Sequence, residues 1–269
     1  MSRWPRSQAI LLWGVVVFDL VFLALPTALV LVASFTAGDV IAFPPDGWSL
    51  RWYQALLERP AFVDAFLRSL WVATVCAVVS IPAGTLAALA LVRWRIRFRG
   101  ALQVYLLLPF TVPLIASGIA MMLLFGQLRL LGSLWPVGVG AAVVNLPFMI
   151  WAVSASANGL DPDLEDAAAS LGAPPLHRFL TVTLPAVMPG VITGALIMFI
   201  LALNEFIVSL LLTDARTVTL PVLIYSSIRS VLTPDLAAVS VVYVVVAVVA
   251  ILALDRLVGL DVFLRSRRN

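Results

Sequence analysis

Long apolar runs separated by short polar breaks organise this sequence, and the breaks hold most of its charge. The runs cover about 10–35, 66–92, 102–125, 135–157, 184–212 and 236–257. Each exceeds the roughly 20 residues that a helix needs to cross the hydrocarbon core of a bilayer. The pattern predicts an all-α, polytopic membrane protein with six transmembrane helices forming one domain over 1–269. The first run follows Arg3 and Arg6, as the apolar region of a signal peptide would. Such a region is only about 7–15 residues long, so this run reads as a retained span. Asp19 inside it is expected near a helix interface or a partner rather than against lipid. Pro109 and Pro113 in the third run, and Asn145 and Pro147 in the fourth, suit helices whose neighbours re-satisfy freed backbone groups.

The stretch 36–60 is polar, with a turn expected at Pro44, Pro45, Asp46 and Gly47. Trp48, Trp52 and Tyr53 follow. Aromatic residues there read as anchors at the membrane–water boundary, with ligand stacking as the alternative.

Composition agrees with a bilayer as solvent. The chain is 62% hydrophobic and 12% charged, whereas a soluble domain is about half apolar and a quarter charged. All 17 basic residues are Arg. Without Lys there is no P-loop, so any ATP hydrolysis belongs to another chain. A net charge of +3 admits a nucleic-acid partner, but the arginines flank apolar runs instead of forming one face. Even the alternating Arg93, Arg95, Arg97 and Arg99 read as a turn touching anionic headgroups, and no nucleic acid is expected. Cys76 is the only cysteine and reads as a small buried hydrophobe. His177 is the only histidine, too few for a His-based zinc site or a Ser-His-Asp triad. No catalytic residue, metal site or bound cofactor is expected on this chain.

Six spans put both termini on one side. If that side is cytoplasmic, eleven arginines lie inside: Arg3, Arg6, the four from Arg93 to Arg99, Arg178, Arg256, Arg265, Arg267 and Arg268. Six lie outside: Arg51, Arg59, Arg68, Arg129, Arg216 and Arg229. The excess of positive charge selects cytoplasmic termini and places the polar break at about 158–183 in the cytoplasm. That break contains its own helix signals. Asp161 is a good N-cap and Pro162 suits the first helical position, while Asp163, Glu165 and Asp166 complement the helix dipole. Gly172 is placed to end the helix in the left-handed conformation, and Pro174 and Pro175 forbid its continuation. A second short helix is expected from Pro175 to Thr181, with Phe179 and Leu180 as its apolar residues. So short a helix is marginal alone, so something packs on it; capping leaves open whether that is its own bundle or a partner.

The segment Asp166-Ala167-Ala168, three residues, Gly172, nine residues, Val182-Thr183-Leu184-Pro185 resembles the cytoplasmic loop of permeases from binding-protein-dependent ABC importers. Their pattern reads Glu-Ala-Ala, three residues, Gly, nine residues, Ile-x-Leu-Pro. Asp166 and Val182 depart from it, conserving charge and shape, and Glu165 beside Asp166 is a second acidic candidate. The resemblance implies a coupling helix that docks in a cleft of an ATPase subunit, with Glu165, Asp166, Ala167, Ala168, Gly172, Leu184 and Pro185 as the coupling residues. It further implies a bacterial inner-membrane location, a second permease forming a heterodimer, two ATPase subunits carrying ATP and Mg, and an extracytoplasmic solute-binding protein. The stretches 43–53 and 203–210 are similar to the second permease of the spermidine/putrescine branch, which also includes relatives for ferric iron, opines and aminoethylphosphonate. A polyamine is therefore the first expectation for the solute. The rival, a stand-alone secondary transporter or channel, needs its own ion-coupling site and usually paired repeats, and neither is visible.

Asn204 and Glu205 are the candidate path residues. Glu205 falls about eight residues before the outer end of the fifth run, ~12 Å deep at 1.5 Å per residue. An ionisable group there faces a cavity or a partner. A cation path and an interhelical polar contact both satisfy that requirement.

Cysteines introduced at Ser170 and Ser49, in a Cys76→Ala background, are expected to label from opposite sides of the membrane. Labelling of both from outside would refute the six-span orientation.

Overall fold

The computed structural model describes residues 6–40, 43–45, 47–94, 96–230 and 233–258. Asp46, Arg95 and the terminal arginines Arg3, Arg265, Arg267 and Arg268 lie outside them. Twelve α-helices are described: α1 (Arg6–Ser34), α2 (Arg51–Glu58), α3 (Pro60–Arg93), α4 (Arg99–Thr111), α5 (Leu114–Gln127), α6 (Leu134–Ala157), α7 (Pro162–Ser170), α8 (Pro175–Arg178), α9 (Leu184–Leu203), α10 (Ile207–Leu212), α11 (Leu220–Ser230) and α12 (Pro234–Val258). A π-helical turn, Phe179–Thr183, joins α8 to α9. Among the described residues no strand forms beyond an isolated Thr36–Trp48 bridge. The all-α expectation agrees with this.

Four stretches are long and apolar enough to cross a membrane: Ile10–Ser34, Pro60–Arg93, Leu134–Ala157 and Pro175–Leu203. A fifth arises if α4 and α5 form one broken span, bent by 85°. The third run was expected as a single helix, and the break has a local cause. A residue before proline is pushed out of the helical region, and Val112, ahead of Pro113, has φ −83° and ψ 130°. The 184–212 run, also expected as one helix, stops at Leu203 and resumes at Ile207. At its other end it is longer than expected, because the helix begins at Pro175. The second short helix is thus the foot of the span, not a separate element.

Contacts divide the chain into two compact units. One comprises the chain up to Val63 together with Ile224–Val246. There Trp52 Nε1 donates to Thr36 O (2.9 Å), and Tyr53 Oη lies 2.7 Å from Ser34 Oγ. These two aromatics therefore fasten α2 to the end of α1, a structural use that neither anchoring nor ligand stacking anticipated. Trp48 stays 70% exposed, as an interfacial anchor would be. Arg59 pairs with buried Asp235 at 2.6 Å. The most apolar stretch of α1 buries nothing within the structure. Asp19 is exposed on it and makes no ion pair or hydrogen bond among the described residues.

The second unit comprises Asp64–Leu223 with the chain from Ala247 onward. Its axis is the pair α6 and α9, which approach closely because glycines face bulky groups. A Cβ at Gly190 would stand 2.6 Å from Ser156 Oγ and 2.7 Å from Ala152 O. At Gly138 it would stand 2.8 Å from Val72 O on α3. Without hydrophobic drive in lipid, such close backbone packing is what holds helices together. Met149 fills the space beside Gly84 and Gly194, and both Met149 and Met198 are fully buried. Val72, Phe125, Val137, Val208 and Leu212 form a cluster joining α3, α5, α6 and α10. Cys76 is fully buried, as expected of a small hydrophobe.

Gly190→Val is predicted to destabilise the protein by about 2 kcal/mol through overpacking. Gly100→Ala, where a Cβ meets nothing within 4 Å, should be neutral or stabilising. Thermal midpoints of the two purified variants check the contrast; equal midpoints would contradict the packing account.

Candidate functional site

The polar break between α6 and α9 folds as a short hairpin built by its own side chains. Asp161, in extended conformation, accepts a hydrogen bond from the Asp163 N–H at 3.0 Å, and Pro162 opens α7 behind it. The helix ends as its sequence demands. Gly172 has φ 82°, and its N–H donates to Ala169 O while Ala173 N–H donates to Ala168 O. A Cβ at Gly172 would meet nothing within 4 Å, so the requirement for glycine is torsional, not steric. Pro174 and Pro175 then start α8, which runs through the π-helical turn into α9 without a break. Leu184 and Pro185 are therefore the first residues of α9 and continuous in helix with the hairpin.

The two acidic candidates separate in space. Glu165 turns inward: Arg93 Nη1, at the end of α3, donates to its Oε2 at 3.1 Å, and the buried Thr183 hydroxyl donates to its Oε1. Both members of the ion pair are largely buried, with 18% of the Arg93 side chain and 26% of the Glu165 side chain exposed. Asp166 is exposed, as is Ala167, while Ala168 is half-buried. Glu165 thus ties α7 to the end of α3 and to the foot of α9. Sequence reasoning missed both partners. Arg93 reads from sequence as an orienting charge and as part of a turn touching headgroups, and Thr183 occupies an unspecified position of the motif; no local signal pairs either with Glu165.

The outer surface of the hairpin is unusually apolar for a polar break. Leu164, Leu171, Leu176 and Leu180 are 53%, 89%, 69% and 50% exposed. Four large apolar side chains in so short a surface segment mark an interaction surface more than a solvated loop.

The second candidate site lies at the break between α9 and α10. Asn204 Nδ2 donates back to Ile200 O (2.9 Å), and the Val208 N–H donates to the Glu205 carboxylate (3.0 Å). Asn204 is exposed and Glu205 half-buried. Besides a cation path and an interhelical contact, the geometry supplies a third compensation for the carboxylate: from the position before the N-cap Phe206, it accepts a first-turn N–H of the helix that restarts after the break. Just beyond α10, Asp214 accepts from the Thr217 hydroxyl and from the Arg216 and Thr217 N–H groups. The Thr217 hydroxyl first, and the Arg216 N–H second, hold its carboxyl below the usual range. Among the described residues no three His, Cys, Asp or Glu side chains gather as a metal site.

Comparison with known proteins agrees with this arrangement. The family model described as binding-protein-dependent transport system inner membrane component matches residues 80–260, a stretch that contains the whole hairpin and both helices flanking it. The putrescine transport system permease protein PotI of Escherichia coli K12 is 32% identical over 240 residues, covering 85% of this chain and 84% of that protein. The molybdenum transport system permease protein ModB of Mycobacterium tuberculosis is 34% identical over 221 residues, covering 76% and 82%. The putative 2-aminoethylphosphonate transport system permease protein PhnV of Salmonella typhimurium is 29% identical over 262 residues, covering 96% and 97%. In fold, the chain is similar to the crystal structure of a bacterial ABC transporter that imports the acidic polysaccharide alginate, with a TM-score of 0.71 at 17% identity over 95% of this chain and 98% of that one. With its capped hairpin inside the matched stretch and apolar helices of spanning length around it, the chain belongs to the family of binding-protein-dependent transport system inner membrane components, a multi-pass permease of the inner membrane and not an enzyme.

Proposed function

We propose that this permease subunit of an ABC importer couples to its ATPase through the hairpin 158–183. The observation that carries the reading is an apolar outer surface on a hairpin whose inner carboxylate is fastened at two points. Leu164, Leu171, Leu176 and Leu180 offer area for a partner, while Glu165 holds the hairpin to Arg93 and Thr183. A push on α7 then moves the ends of α3 and α9 together instead of bending a loop. Glu165 acts as the internal tie in this scheme. Asp166, Ala167 and Ala168 belong to α7 itself, Gly172 sets the turn, and Leu184 and Pro185 receive the motion at the start of α9.

Membership of the family supports the rest of the proposed assembly. Two ATPase subunits bind ATP and Mg, this chain binds neither, and an extracytoplasmic binding protein delivers the solute. A second permease completes the path as a heterodimer, consistent with the uncovered apolar length of α1. The chain acts as one permease domain with six spans and cytoplasmic termini, counting α12, apolar over Pro234–Val249, as the sixth. The proposed solute is a polyamine, supported by 32% identity to the putrescine permease. The aminoethylphosphonate relative, aligned over 96% of this chain, supports a second reading with the same architecture and a different solute.

Gly172→Val is expected to cost about 1 kcal/mol or more at the turn, leaving insertion intact while transport and ATPase association fall. Uptake and co-purification of the ATPase measure this, and normal transport would sink the coupling assignment. Glu205→Gln keeps an acceptor for the Val208 N–H and loses only the charge. If the carboxylate serves a cationic solute, this variant should assemble, hydrolyse ATP on binding-protein stimulation and import poorly. Full uptake of putrescine and spermidine by reconstituted Glu205→Gln complexes would confine the residue to its capping role.

A further inference from the structure

A cleft of about 560 Å3 opens between the end of α3 and the hairpin; the coupling scheme uses Arg93, Glu165 and Thr183 on its wall but assigns no occupant to the cavity. Its volume lies within the range of ~300–1,000 Å3 that small-ligand sites occupy. Arg93 and Arg178 line its charged end, and Leu86, Leu89, Trp94 and Phe179 form apolar walls. Glu165 also borders it, so two guanidiniums face one carboxylate and an excess positive charge remains. Glu165 takes only Arg93 Nη1. Nε and Nη2 of Arg93 and Nε of Arg178 are buried and make no hydrogen bond among the described residues. These atoms have almost no accessible surface, so an anion in the cleft would offset the desolvation cost of the two guanidiniums through their charge rather than by bonding to these atoms. Several guanidinium donors side by side match the oxygens of a phosphate.

The shape of the cleft narrows the choice of phosphate. Leu89 and Leu86 lie four and seven residues before Arg93 on α3, hence ~6 and ~10 Å up the apolar length of the helix. The cleft therefore runs from a cationic end into the part of the span that lipid chains reach. Trp94 sits 71% exposed at the junction, where indoles favour the headgroup level. We propose that this cleft binds an anionic phospholipid, with its phosphate diester on Arg93 and Arg178 and an acyl chain along Leu86 and Leu89. The lipid would balance the charge of the guanidinium that also holds Glu165, making it a structural part of the hairpin. The site does not depend on which protein docks on the outer leucines.

Native mass spectrometry of the importer complex, extracted from phosphatidylcholine nanodiscs containing a minor fraction of phosphatidylglycerol, tests this. The wild-type complex should retain phosphatidylglycerol about tenfold or more over phosphatidylcholine, because both lipids offer the same phosphate diester but the quaternary ammonium of phosphatidylcholine is repelled by the uncompensated guanidinium charge. Arg178→Gln should abolish that preference, and Arg178→Lys should keep part of it. Ala90→Leu should also reduce retention by narrowing the cleft while leaving both charges in place. Saturating inorganic phosphate should not displace the lipid. Equal retention by wild type and Arg178→Gln overturns the proposal. Displacement by inorganic phosphate makes the cleft a free-anion site and overturns it too. So does retention that appears only after the ATPase subunits are stripped away, because a partner side chain would then be the natural occupant. Retention is read without ATP turnover, so a failure of the coupling scheme leaves these outcomes unchanged.

Discussion

Hydrocarbon supplies no hydrogen bonds, and each break in the apolar helices of this chain is arranged around that fact. At Val112 and Pro113 the broken ladder costs little, because proline has no N–H to leave unpaired. Between α9 and α10 there is no such saving, and side chains take over. Asn204 returns a donor to Ile200 O, and Glu205 accepts the Val208 N–H that the restarted helix would otherwise orphan. The same constraint explains why polar groups inside apolar stretches turn to nearby backbone. Buried Asn145 gives its amide to Ala141 O one turn earlier.

Where the chain leaves the apolar stretches, electrostatics replaces backbone closure as the organising force. The ion pair of Arg93 with Glu165 is largely buried, so desolvation offsets much of its attraction and its contribution to stability is small. Its value is positional. Joined by the Thr183 hydroxyl, it fixes a nine-residue helix that would be marginal alone. Because the π-helical turn carries the hairpin directly into α9, the tie and the span form one mechanical piece. The unsatisfied donors left on Arg93 and Arg178 belong to the same economy, since a guanidinium offers more hydrogen bonds than one carboxylate accepts.

Packing in the second unit rests on small residues. Gly84, Gly190 and Gly194 let Met149 and the backbone of α6 approach α3 and α9, and the long unbranched methionines fill what remains. A helix held in this way moves as a body when its foot is displaced, because interdigitated side chains leave little room for bending. The α6–α9 pair is therefore stiff along its packed length.

The sequence by itself determined whatever depends on neighbours along the chain. Apolar length marked the helical stretches but not where two of them break, the missing Lys excluded a phosphate loop, and Asp161, Pro162 and Gly172 fixed both ends of α7 through local torsion and capping. Proline and turn chemistry are also local, yet their outcome depended on context. Pro109 lies within α4 whereas Pro113 ends it, and the sequence marks both alike. Tertiary structure alone decided which acidic residue turns inward. Glu165 and Asp166 are adjacent and chemically similar, and only the positions of Arg93, 72 residues earlier, and Thr183, 18 later, distinguish them. It also decided that Trp52 and Tyr53 fasten α2 to α1 and that the span begins at Pro175. The cleft at Arg93 and Arg178 was hidden for the same reason: side chains distant in sequence meet there only when the helices that carry them pack, and no local pattern encodes that meeting.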